Sequence, residues 1–407
     1  MAKDLPIKVK NRYMILLAGM AIQFCAGTLY MWSVYNADVA AYLLWDKTNT
    51  GFTVPFMLTF FVVGIIIGGR IMDKIGPRMV CVVGSIIMSV GILISSQVTS
   101  DCRELIWLTY GIIGGTGVGI VYTCTVSPIQ KWFFDKKGFA TGMMVMAFGL
   151  SMALFTPVAW VLLAAVGVPS TFMIFGVAFM IICIPASLLI INPPPGFVIP
   201  KTSVAATQKQ YTPKEMLRTK AFYLLFFFGF FITSAFFVLN PQLVSFGMER
   251  GLTKETATMV LIVMGISSAC GRLAITWTAD IKGRVVAMLA IFTLTLLGVL
   301  LLIPAQGLVY FVCIAMIAFA YGGVAGLYAI MTSDNFGTKF MGSNYGIVLI
   351  GFGLSAPSFV LLSAKFPVAE SNMIFVICAA ACLANLVCVI LLRKYAIADY
   401  RSKKVRV

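Results

Sequence analysis

Arg272 sits where a charge is least expected. It lies inside the apolar run 256–279, eight residues before Asp280. At 1.5 Å per helical residue it is roughly 12 Å in from that end. No other Lys or Arg falls well within an apolar run. Placing Arg mid-helix in lipid costs about 2.5–3.5 kcal/mol even on the most lenient scale. An acidic partner normally relieves that cost, yet all 14 Asp and Glu fall in loops, termini or the ends of runs. An unpaired guanidinium in a water-accessible cavity is an anion site. Snorkelling toward the nearer membrane face, or pairing with Asp334, is the plainer alternative.

Aromatic hydroxyls are the next candidates. Tyr30, Tyr122 and Tyr321 lie within apolar runs, and a tyrosine in lipid needs a partner for its OH. Tyr122 and Tyr321 can donate to carboxylate oxygens. Tyr30 fits an interfacial aromatic belt nearly as well. Leu29 and Phe148 are candidates for an apolar wall. Ser268 lies one helical turn before Arg272, on the same face. The chain has no histidine, the commonest metal ligand and pH switch. No paired carboxylates, Ser/His set, metal cluster or P-loop appears, which argues against hydrolysis and ATP-driven chemistry.

These residues need a frame that crosses lipid repeatedly. The 407 residues are 60% hydrophobic and 11% charged, where a soluble domain carries about a quarter charged. Runs long enough to cross a hydrocarbon core of roughly 30 Å fall at 14–36, 52–69, 79–97, 105–128, 139–166, 170–191, 221–245, 256–279, 285–304, 308–333, 344–364 and 373–392. The predicted class is an all-α membrane protein with twelve transmembrane helices. The alternating segments of a barrel are missing. Lys and Arg outside the runs number 24 on the side of the termini and five on the other. That bias predicts a multi-pass protein of the cell inner (plasma) membrane with both termini cytoplasmic. It also accounts for the net charge of +16 without nucleic acid. The ten cysteines lie mostly within runs, with no CxxC pair, and read as packing residues. The first run follows Lys3, Lys8, Lys10 and Arg12 and is too long for a cleavable signal.

The chain repeats itself. The segment 192–220 opens with Asn192-Pro193-Pro194-Pro195-Gly196 and reads as a cytoplasmic linker between six-helix halves 1–191 and 221–407. Asp73 and Asp280 are 207 residues apart, as are Gly76 and Gly283. Gly117-Val118 and Tyr122 recur 206 residues later as Gly323-Val324 and Tyr328. Phe148-Gly149-Leu150-Ser151 recurs 204 residues later as Phe352-Gly353-Leu354-Ser355. Parallel halves are the pattern of transporters that rock about a central site. Glycines crowd the fourth and tenth runs, where close helix packing explains them.

Gly69 to Arg78 resembles the G-x-x-x-D-[RK]-x-G-[RK]-[RK] loop of the major facilitator superfamily, with Pro77 at one basic position. Three further stretches resemble the oxalate/formate antiporter family and its relatives, the bacterial monocarboxylate (lactate/pyruvate) transporters. They are Gly117-Val118-Gly119-Ile120-Val121-Tyr122, Lys131-Trp132-Phe133 with Lys137-Gly138, and Asn344-Tyr345-Gly346. The resemblance implies the major facilitator fold of two pseudo-symmetric six-helix halves. It implies that the arginine of the eighth span, here Arg272, binds substrate. It also places the first, fourth and tenth spans, with Tyr30, Tyr122 and Tyr321, around the cavity. The oxalate exchanger carries a lysine six residues after Asn-Tyr-Gly, where this chain has Phe352. One fixed cation neutralises one carboxylate, and a second bare charge in a dry site is costly. Phe352 instead offers apolar wall. Some monocarboxylate carriers have Asp at the position of Ser268, so a proton-relay carboxylate is missing here.

In the loop motif, Asp73 can face the N-terminal end of a neighbouring helix. Arg70, Lys74 and Arg78 can pair with carboxylates and helix C-termini. With Asp280 they form a candidate gating set whose contacts hold one conformation; topology alone is the plainer account. The expected function is secondary transport of a small organic monocarboxylate, linked to protons, with no cofactor and no metal. The expected partners are the carboxylate, protons and the lipid bilayer, with no obligatory protein partner. The rival readings are oxalate/formate-type anion exchange and a non-transporting membrane anion sensor. The tail of about fifteen residues after the last span is short for an effector domain.

Overall fold

The structure, a computed structural model, describes residues 11–194, 209–240, 243–365 and 372–396, and every element among them is helical. The first half of the chain forms α1 (Asn11–Ala26), a 3-10 turn (Gly27–Met31), α2 (Trp32–Tyr42), α3 (Lys47–Gly51), α4 (Thr53–Ile75) and α5 (Pro77–Ser95). A π-helical stretch, Trp107–Gly114, then runs into α6 (Gly115–Trp132), and α7 (Lys137–Leu188) completes the half. The second half forms α8 (Pro213–Met216), α9 (Lys220–Ile232), α10 (Ser234–Leu239), α11 (Leu243–Glu249) and α12 (Lys254–Ile281). It ends with α13 (Arg284–Leu302), α14 (Gly307–Phe336), α15 (Met341–Lys365) and α16 (Met373–Tyr395).

Nine helices among the described residues are long and apolar enough to cross a membrane. The longest of them, 134–188, is two crossings. Its chain turns at Gly167, with φ 75° and ψ 179°, a backbone open to glycine and strained for other residues. The 25-residue α15 and the rod of α1, the 3-10 turn and α2 supply the remaining spans read from the sequence. That first span is not one regular helix. At Gly27 a Cβ would lie 2.0 Å from the Phe148 carbonyl oxygen, so the helix tightens where it crosses α7 in backbone contact. The seventh span is also broken, at Thr233, whose hydroxyl donates to the Gly229 carbonyl and pairs with Ser355 Oγ at 2.8 Å.

The loop motif is mostly helix, which corrects the sequence reading. α4 continues past position 69 to Ile75, so Arg70, Asp73 and Lys74 ride on its last turns. Only Gly76, at φ 89°, leaves helical geometry, and Pro77 starts α5 at once. Proline suits that first position because its missing N–H would be unpaired there anyway.

The two halves meet mainly along two pairs of helices, α4 with α15 and α7 with α12, and more lightly through α7 with α14 and α6 with α15. Both main contacts tighten at the end that carries most of the basic residues. A Cβ on Gly69 would lie 2.3 Å from the Gly342 oxygen, and one on Gly138 would lie 2.0 Å from the Thr276 oxygen. Of the linker 192–220, residues 195–208 lie outside the described residues. The part that follows is pinned to the turn between α14 and α15. Tyr211 N–H donates to Phe336 O at 3.0 Å, and Asn344 Nδ2 donates to Tyr211 O at 2.9 Å. Thr212 and Glu215 close a capping box on α8. The backbone N–H and then the hydroxyl of Thr212 hold the Glu215 carboxyl below its usual range.

Candidate anion site between the halves

Arg272, Thr276 and Asp280 stand one turn apart on the face of α12 that meets α7. α7 answers with small residues. A Cβ on Gly149 would lie 2.9 Å from Arg272 Nε, and one on Gly142 would lie 2.2 Å from Thr276 Oγ1. The guanidinium fits between the helices because those positions carry no side chain.

Arg272 is 4% exposed. One terminal nitrogen donates to the Val145 carbonyl at 3.1 Å, and its Cζ lies 5.8 Å from the centre of the Phe148 ring. Its Nε is buried with no hydrogen-bond partner among the described residues. No carboxylate among them stands within salt-bridge distance of it. Pairing with Asp334 is not what the structure holds. Asp334 meets Lys137 Nζ at 3.0 Å and Arg284 Nε at 2.8 Å. A buried guanidinium with an unbonded N–H is under-satisfied, and an oxygen anion is its natural complement.

Two aromatic groups frame this region. In the first, Tyr122 of α6 packs edge-on against Phe148 and Phe61, each with ring centres at 5.4 Å. Its hydroxyl lies 3.3 Å from that of Tyr345, with the two rings stacked at 6.3 Å. In the second, Tyr321 of α14 lies flat on Phe236 at 3.5 Å, with Phe237 at 5.7 Å and Phe352 at 5.8 Å. Arg272 and Tyr122 thus both meet Phe148, while Tyr321 stacks in a second aromatic group whose member Phe352 packs against both cores. Ser268 is buried, and its carbonyl abuts Gly322. Leu29 and Tyr30 belong to the 3-10 turn, and their side chains lie outside the described residues.

Tyr345 is the residue that the sequence reading passed over. It stands in Asn344-Tyr345-Gly346, which served only as a mark of resemblance. An aromatic at the start of an apolar run carries no signal of its own; its pairing with Tyr122 is long-range.

At the basic end the carboxylates cap helices of the opposite half. Asp73 accepts from Gly342 N–H at 3.3 Å, Ser343 N–H at 2.9 Å and Ser343 Oγ at 2.7 Å, at the start of α15. Asp280 accepts from Phe139 N–H at 2.9 Å, at the start of α7, and from Arg284 at 2.8 Å. Arg78 donates to the Leu188 carbonyl at 2.6 Å, at the C-terminus of α7. Arg70 and Lys74 are exposed.

Comparison with known proteins accords with this architecture. Residues 15–360 match the model of the Major Facilitator Superfamily. The chain is 25% identical over 352 residues to the MFS-type transporter YhjX of Escherichia coli (strain K12), covering 85% of this chain and 86% of that one. It is 29% identical over 347 residues to the oxalate:formate antiporter of Oxalobacter formigenes, covering 83% and 80%. It is 27% identical over 264 residues to monocarboxylate transporter 13 of Rattus norvegicus, covering 64% and 59%. Among solved structures, the proton:xylose symporter XylE superposes with a TM-score of 0.71 at 14% identity, covering 95% and 96%. The fucose transporter FucP in its outward conformation superposes with a TM-score of 0.68 at 13% identity, covering 94% and 99%; such likenesses speak for the fold alone. The chain is a multi-pass membrane transporter, not an enzyme, and it belongs to the major facilitator superfamily.

Proposed function

We propose that this transporter carries a small organic monocarboxylate, such as lactate or pyruvate, by alternating access around Arg272. The observation that carries the reading is the buried guanidinium between the halves, with no carboxylate partner among the described residues and an unbonded Nε. One cation suits one carboxylate. Tyr122, packed on the same Phe148 ring that Arg272 meets, would supply a hydroxyl, and Phe148 would supply apolar wall. Tyr321, Phe352, Ser268, Leu29 and Tyr30 complete the proposed lining. The halves 1–191 and 221–407 would rock about this point, joined by 192–220. Asp73 and Asp280 would hold the basic end shut by their bonds across the halves, with Arg70, Lys74 and Arg78 proposed to act around them. That end faces the cytoplasm on the charge bias, with both termini there, in the inner (plasma) membrane.

Movement is proposed to be proton-linked. The proton would enter with the carboxylate, whose pKa rises in a dry site. Exchange is the second reading, favoured by the likeness to an oxalate:formate antiporter. Uptake into proteoliposomes, with C1 to C4 carboxylates and with or without a pH gradient, tests both. Accumulation driven by external acid with no internal anion supports symport. Uptake that requires a preloaded anion supports exchange. At matched protein levels Arg272→Ala is expected to abolish uptake. Arg272→Lys should impair it, because lysine lacks the bidentate fork. Near-normal uptake by Arg272→Ala would remove the arginine from the site. Phe352→Lys should shift competition toward oxalate; an unchanged oxalate-to-lactate preference would remove Phe352 from the lining.

A further inference from the structure

Two polar groups of the proposed site already have hydrogen-bond contacts, and both contacts cross from one half to the other. Arg272, in the second half, donates to the Val145 carbonyl in the first. Tyr122, in the first half, shares a hydroxyl contact of 3.3 Å with Tyr345 in the second. Tyr345 is 1% exposed, and its ring stacks on Tyr122 with 16° between the planes. Its hydroxyl also lies 3.5 Å from the Ala325 carbonyl. A hydroxyl is both donor and acceptor, so Tyr345 can accept from Tyr122 while donating to Ala325.

The position of Tyr345 ties this contact to the shut end. Two residues earlier, Ser343 is capped by Asp73. One residue later, Gly346 packs on Ile65 and Ile66 of α4. One turn of α15 thus carries the cap, the close backbone contact and the hydroxyl beside Tyr122. Closing α15 on α4 brings all three into place together.

We infer that Tyr345 is a positioning residue that stands in for the carboxylate, taking the Tyr122 hydroxyl while Val145 takes Arg272, so that the carrier can cross without cargo. The inference rests on the reading that Arg272 and Tyr122 bind a carboxylate. A buried donor left without a partner costs more than a made hydrogen bond gains. Closing around bare donors would therefore be disfavoured, and the transporter would be held to exchange. With internal acceptors from the opposite half, the cargo-free crossing has its own closed form. A carboxylate, which only accepts, competes with Tyr345 for the Tyr122 O–H. Binding and cargo-free closure are alternative uses of the same donors.

The test compares two fluxes in proteoliposomes loaded with labelled lactate. One is efflux into buffer without anion, and the other is efflux into buffer with unlabelled lactate. The unsubstituted protein is expected to show both. In Tyr345→Phe the ratio of net efflux to exchange should fall roughly three- to tenfold, the effect of one hydrogen bond lost from the cargo-free crossing alone. A purely structural role would lower both fluxes together and leave the ratio unchanged, which would overturn the inference. Exchange without net efflux in the unsubstituted protein would also overturn it, while leaving the carboxylate reading intact. Absence of both fluxes for every C1 to C4 carboxylate would overturn that reading, and the inference with it. If Tyr345→Phe accumulates poorly, Tyr345→Leu must give the same fall, and an unchanged ratio there counts equally against the inference.

Discussion

Asp73 and Asp280 occupy matching places in the two halves and hold the opposite half by different means. Among the described residues Asp73 is bound by neutral donors only, two backbone N–H groups and one hydroxyl at the start of α15. Asp280 takes one backbone N–H from the start of α7 and is tied to Arg284, which also clasps Asp334, itself paired with Lys137 from the other half. The first is a carboxylate on a helix N-terminus, where the macrodipole favours a negative charge. The second is a mostly buried network that joins, among the described residues, two acids and two bases. Removing one member of such a network exposes the cost of the charges left behind. Pseudo-symmetry repeats the place of the carboxylate without repeating its energetics.

Three substitutions test that contrast. The largest effect is expected from Arg284→Ala, which leaves Asp280 and Asp334 adjacent with one clasping cation gone. It should destabilise the protein by about 3–5 kcal/mol, read as a lowered thermal unfolding midpoint in detergent. A shift no larger than that of a surface control would mean the network is solvated and the contrast is false. Asp280→Asn comes next, at about 1.5–3 kcal/mol, because it loses charge-assisted bonds to Arg284 and Phe139. Combined with Arg284→Ala its effect should be clearly less than additive; additivity would place the two residues in separate interactions. The smallest effect is expected from Asp73→Asn, about 1 kcal/mol, since an amide oxygen still accepts from Ser343. If Asp73→Asn costs as much as Asp280→Asn, the two latches are equivalent after all.

Much of this arrangement was legible in the sequence, for reasons that differ by residue. Apolar runs and the offset of 207 between Asp73 and Asp280 marked the fold and the paired capping positions. Arg272 stood out because a lone cation in lipid has few explanations. Lys137 entered the sequence reading only as part of a stretch that marks the resemblance, yet it is 4% exposed and bonded to Asp334. Its burial depends on α14 of the other half, which no local pattern reports. The segregation of Tyr321 from Tyr122 was equally hidden, because both are simply tyrosines in glycine-rich spans. Helix breaks at Gly27 and along Trp107–Gly114 arise from crossings against other helices. The turn at Gly167, by contrast, is set by the glycine itself.

The close backbone contacts of Gly69 with Gly342, and of Gly138 with Thr276, have an electrical consequence. A site where a single added carbon would lie 2.0–2.3 Å from a backbone oxygen has no room for a water molecule about 2.8 Å across. Protons travel through proteins along files of water and hydroxyls. Where two backbones touch, such a file cannot pass, so the crossings of α4 with α15 and of α7 with α12 hold no proton path while they stay in contact.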